Sequence, residues 1–140
     1  MIADQLLQRE NSHPAENNVA AMIAYLRHLI CGEGFHHAER FHAVFLDSRN
    51  AYLGDTACGD GNGSSLSLRM RELFGRALAV GASSLIVAHN HPSGLCRPSQ
   101  RDIEATRRLG EIARALDIEL LDHLIFTQSA VYSMRAGGKL

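Results

Sequence analysis

The feature that most restricts how this chain folds is the run Ser84-Leu85-Ile86-Val87-Ala88, which leads straight into His89-Asn90-His91-Pro92-Ser93-Gly94. A short, continuously apolar β run is a strand covered on both faces, so it demands a sheet with helices packed above and below. Pro92 and Gly94 then force a loop. A buried strand therefore ends at two histidines. With 140 residues, the chain suits one compact domain. A domain of that size buries roughly two thirds of its unfolded surface and needs no disulfide or metal merely to fold.

The rest of the chain supplies the layers. Residues 1 to 14 are polar and end at Pro14, after which Val19, Met22, Ile23, Leu26 and Ile30 recur at helical spacing until Cys31-Gly32-Glu33-Gly34. The segment Glu39 to Leu46 alternates and then turns wholly apolar, the pattern of a half-buried strand becoming a buried one. Tyr52-Leu53 begins a hairpin partner, and residues 54 to 65, with Gly54, Gly59, Gly61 and Gly63 among Asp, Asn and Ser, read as the least ordered stretch. Met70, Leu73, Phe74, Ala77 and Leu78 predict a second helix, with Ser67 as its N-cap and Gly81 just past its end. Ser99 opens a third, whose Ile103, Leu109, Ile112, Ala113 and Leu116 face the core. Strands over Ile118–Phe126 and Val131–Met134 close the chain. This order predicts an α/β (α+β) single domain with a mixed central sheet flanked by helices.

Composition excludes several functions. Fourteen Lys+Arg against fifteen Asp+Glu give a net charge of -1, which disfavours a protein built to grip polyanions. Cys31, Cys58 and Cys96 form no C-x-x-C pair, so neither a disulfide framework nor a thiolate zinc knuckle is indicated, and a reducing, cytoplasmic location is expected. Charges at Asp4, Arg9, Glu10 and Glu16 break the apolar run a signal peptide would need. The uncharged stretch Ala77 to Ala88 is far short of the roughly 20 residues that cross a bilayer. No membrane association is expected.

Histidines two apart in extended backbone point to the same side, so His89 and His91 can aim at one ion about 2.0 Å from each. Asp102, eleven residues after His91, can be swung back beneath them by the Pro-Ser-Gly turn and the first turn of the third helix. A catalytic zinc takes three protein ligands and keeps a fourth position for water. Ser99-x-x-Asp102 also has the form of a capping box, and the two readings are compatible. Other patterns carry no chemistry. Glu39-x-x-His42 is not the H-E-x-x-H of a zincin helix, the glycines of 54 to 63 match no phosphate-binding loop, and there is no G-x-S-x-G nucleophile elbow. Cys96, between His91 and Asp102, reads as a loop spacer.

The pattern His89-x-His91-x7-Ser99-x2-Asp102 resembles the metal signature of the JAMM/MPN metalloproteases, and the surrounding residues resemble the RadC-like branch of that family. The likeness extends through Glu39-x-Phe41 with Phe45-Leu46-Asp47, Arg71-Glu72, Leu121-Asp122-His123 and Ser133, covering about residues 36 to 136. It implies the JAMM/MPN, cytidine-deaminase-like architecture for residues 36–140, preceded by a polar segment and helix over 1–35. It further implies His89, His91 and Asp102 as zinc ligands, Glu39 as general acid/base, and Ser99 as a donor to the tetrahedral intermediate. His123 and Asp122 would stand behind the ligands as hydrogen-bonding residues. Longer RadC-like proteins carry an N-terminal helix-hairpin-helix region associated with DNA, whereas about 35 residues precede the shared part here. Arg69-Met70 replaces the usual His-Pro, and Gly61-Asn62 the usual Gly-Thr.

The leading expectation is a zinc hydrolase that cleaves a peptide or isopeptide bond in a peptide or protein substrate. The alternative is a DNA-repair-associated accessory module with a structural or vestigial zinc site and no proteolysis. From Arg97 to Arg114, five arginines face Asp102, Glu104 and Glu111, a local excess of +2 that is usually a solvated helix face. A zinc nuclease ranks last, because phosphodiester hydrolysis more often uses paired metals with several carboxylates.

Overall fold

A computed structural model describes residues 19–32, 38–62 and 65–140. The polar segment preceding the first helix lies outside them. Among the described residues three helices, α1 (Val19–Cys31), α2 (Met70–Ala79) and α3 (Gln100–Ala115), flank a six-stranded sheet ordered β3-β2-β1-β4-β5-β6. The strands are β1 (Arg40–Leu46), β2 (Tyr52–Asn62), β3 (Ser65–Leu68), β4 (Ser84–Asn90), β5 (Glu119–Phe126) and β6 (Val131–Ser133). Among the described strands only β4 and β5 run parallel, joined by α3, so the sheet is mixed. This is the expected α+β single domain. No helix among the described residues is long and apolar enough to cross a membrane.

Every residue of β4 is buried, because the strand is covered twice. Leu85 and Val87 meet Leu73, Phe74 and Ala77 of α2 and Leu109 and Ala113 of α3. On the other face Ile86 and Ala88 meet Met22, Leu26 and Ile30 of α1. The strand period of two thus sends His89 to the α2/α3 side.

Four expectations need correction. The glycine-rich stretch is not irregular: β2 continues to Asn62 and pairs with both β1 and β3. Gly54 and Gly59 stand opposite Phe45 and Phe41, held in register by the hydrogen-bond ladder that β1 supplies. Ser67 lies in β3 and does not cap α2, whose N-cap is Arg69 with no side-chain capping bond. His89 and Asn90 belong to β4, since pairing with β1 and β5 holds them extended against the pull of Pro92. Leu116 is the C-cap of α3 and is 37% exposed, not core.

Candidate metal centre

The site forms where three elements end together. β4 delivers His89 at its carboxyl end; β1 is antiparallel to it, with Phe41 opposite His89, so Glu39 just before β1 arrives at the same edge. The crossover then returns α3 with its N-terminus toward β4. Ser99 caps α3 and both halves of the capping box form: Asp102 N–H donates to Ser99 Oγ at 3.1 Å, and Ser99 N–H donates to Asp102 Oδ2 at 2.8 Å. The capping reading of Ser99-x-x-Asp102 holds, and the capping geometry aims the carboxylate at the two histidines.

His89 Nε2 lies 3.0 Å from His91 Nε2, His91 Nε2 3.0 Å from Asp102 Oδ2, and His89 Nε2 3.4 Å from Asp102 Oδ1. Ligand atoms about 2.0–2.1 Å from a tetrahedral zinc stand about 3.3 Å apart, so the triangle has the right edges for one ion. The donors are of the right kind too. His91 Nδ1 is 2.8 Å from the Leu95 carbonyl, which only accepts, so a neutral His91 carries its proton there and turns a lone pair inward. Gly94, at φ +84°, makes this contact: its N–H donates to the His91 carbonyl and its left-handed backbone re-aims the chain so that Leu95 faces the ring. The donor set fits a zinc ion.

The electrostatics follow from the same contacts. Burial opposes ionisation of Asp102, but the imidazoles of His89 and His91 beside it, together with the Ser99 N–H, overcome that and hold the carboxyl well below the ordinary range. The Asp102 hydrogen bond conversely raises His91. Glu39 is half-buried, and that burial raises its carboxyl despite the histidines nearby. Phe41 walls the site, with its ring nearly parallel to His89 at 6.0 Å and edge-on to His123 at 5.4 Å.

His123 touches His89 directly, Nε2 to Nδ1 at 2.7 Å. Asp122 does not reach the ligands. It accepts from Ser133 Oγ at 2.5 Å, Arg135 N–H at 3.0 Å and its neighbour's N–H, tying β5 to the C-terminal turn. Cys96 sits beside the Ile125 carbonyl, 3.6 Å away, on the loop. Two residues escaped sequence reading. Asn90 brackets Glu39 by accepting from Arg40 N–H at 2.6 Å and donating to the Ala38 carbonyl at 3.2 Å. Thr106, one turn past Asp102, lies 2.6 Å from His123 Nδ1. The i, i+4 spacing from Asp102 was the available signal for Thr106; nothing local announced Asn90.

Fold and site together define a mixed-sheet domain with a three-donor centre at a strand end. The chain belongs to the RadC-like JAB domain family, whose pattern it matches over residues 16–139. It is 41% identical over 102 residues to a UPF0758 protein of Cupriavidus pinatubonensis, covering 73% of this chain and 45% of that protein. A Vibrio vulnificus UPF0758 protein is 40% identical over the same length, covering 73% and 46%. A Burkholderia mallei UPF0758 protein is 36% identical over 133 residues, covering 95% and 47%. The chain thus spans about half the length of the curated relatives it matches.

Proposed function

We propose that this chain is a zinc-dependent hydrolase of the JAMM type that cleaves a peptide or isopeptide bond in a peptide or protein substrate. The observation that carries the reading is the convergence of His89 Nε2, His91 Nε2 and an Asp102 carboxylate oxygen on one point, with the edges a single ion requires. His89, His91 and Asp102 would hold the zinc ion, which would supply Lewis acidity and make water acidic enough to attack near pH 7. Glu39, its carboxyl raised by burial, takes a proton from the attacking water and returns it to the leaving nitrogen. Asn90 holds the backbone on both sides of Glu39, which keeps that carboxylate at the site edge. Ser99 Oγ accepts from Asp102 N–H, so its own hydroxyl proton is free to be donated to the developing oxyanion.

Metal analysis of zinc-replete protein tests the first step. The parent is expected to bind one zinc and His89→Ala to bind none; full occupancy in that variant, or none in the parent, defeats the reading. Glu39→Gln tests the second step. It should retain zinc and lose turnover of a scanned peptide and isopeptide library, and undiminished turnover removes Glu39 from the mechanism.

A further inference from the structure

Behind His89 runs a buried chain of hydrogen bonds that ends on the main chain of Asp102. Thr106 Oγ1 lies 2.6 Å from the backbone carbonyl of Asp102 and 2.6 Å from His123 Nδ1, and His123 Nε2 lies 2.7 Å from His89 Nδ1. His89, Thr106 and His123 are all at most 2% exposed, so water cannot stand in for any of these partners.

The direction of each hydrogen follows from what each atom can do. A carbonyl oxygen only accepts, so the single hydroxyl hydrogen of Thr106 goes to Asp102; at 2.6 Å, two oxygens with no hydrogen between them would repel. Thr106 Oγ1 is then the acceptor for His123 Nδ1–H. A neutral imidazole has one N–H, so His123 Nε2 is a lone pair and must accept from His89 Nδ1–H. That leaves His89 Nε2 bare and facing His91 and Asp102. Reversing the polarity would put a hydrogen on His89 Nε2, in the middle of the ligand triangle.

We infer that Thr106 and His123 form a relay, anchored on the main-chain carbonyl of Asp102, that holds His89 in the Nδ1–H tautomer and presents its Nε2 lone pair to a metal ion. Thr106 is thus a positioning residue, and Asp102 serves the centre twice, through its carboxylate and, three bonds removed, through its carbonyl. The inference rests on reading the site as a metal centre, but its direct evidence is the hydrogen-bond polarity.

The test uses the full chain with zinc alone as probe. Thr106→Val keeps the side-chain shape and removes the hydroxyl; zinc affinity by chelator competition should fall about ten- to a hundredfold, and Thr106→Ser should restore it. In metal-free protein labelled with nitrogen-15 at histidine, the parent should show His89 protonated at Nδ1 at mildly alkaline pH, and Thr106→Val should show it protonated at Nε2. Parent-like zinc affinity in folded Thr106→Val, failure of Thr106→Ser to restore binding, or an Nε2–H His89 in the parent overturns the relay. If Thr106→Val does not fold, the parent's tautomer decides alone. If the parent takes up no zinc, the metal reading fails separately while the tautomer measurement still judges the relay.

Discussion

Asp102 enters the structure in three ways. Its carboxylate completes the ligand triangle and closes the capping box, and its carbonyl receives Thr106. Removing it should therefore produce two separable losses. Asp102→Ala is expected to abolish zinc binding and to weaken the start of α3, whereas Ser99→Ala removes only the hydroxyl half of the cap and should cost about 1 kcal/mol in denaturant unfolding, with zinc retained. Loss of zinc in Ser99→Ala would mean that the cap, not the carboxylate itself, fixes the site. His89, His91 and Asp102 were legible in the sequence because strand period and helix-cap spacing are local rules that fix side-chain direction. Thr106, Asn90 and the pairing of Asp122 with Ser133 and Arg135 were not, since each depends on which atoms of another element lie across the sheet or helix.

At the level of elements, the join between α1 and β2 rests on Asp55. Its carboxylate accepts from Tyr25 of α1 at 2.9 Å and from Tyr52, and stands 2.7 Å from His42 Nε2. Burial pushes against ionisation there, yet the His42, Tyr52 and Tyr25 hydrogen bonds prevail and lower the carboxyl from 3.8 to about 2. A group with a depressed native pKa contributes stability that is present above its unfolded value and lost as pH falls through the folded one. Asp55→Asn should accordingly be less stable than the parent at neutral pH, by about 2 kcal/mol, through weaker hydrogen bonding. That gap should close as pH drops from 3.8 to about 2. Unfolding curves against pH check it, and a gap that widens on acidification contradicts it. The Asn90 clamp makes a second claim at this scale: Asn90→Ala should speed hydrogen exchange at the Arg40 amide and reduce turnover without releasing zinc. The length of β2 was hidden from sequence reading for a related reason. Glycine signals a loop when read along the chain, but pairing with β1, a distant segment, holds Gly54 and Gly59 in a strand.

Across the molecule, β4 is both the structural centre and the arm that carries the histidines. Its two faces are buried by different helices, so a cavity on the α1 face leaves the packing on the metal side in place. Ile86→Ala, on the α1 face, should cost about 2–5 kcal/mol in unfolding free energy. Because Ile86 points away from the metal side, the folded fraction should keep its zinc affinity. The architecture also explains why the site lies where it does: the parallel pair β4 and β5, with α3 crossing between them, places a helix N-terminus and a strand C-terminus side by side, and antiparallel β1 brings an acidic residue to the same edge. The most direct test of the account is an anomalous-scattering map at the zinc edge from crystals of zinc-replete full chain. It should show one peak about 2.0–2.1 Å from His89 Nε2, His91 Nε2 and an Asp102 carboxylate oxygen. No peak there, or a peak held by other residues, would contradict it.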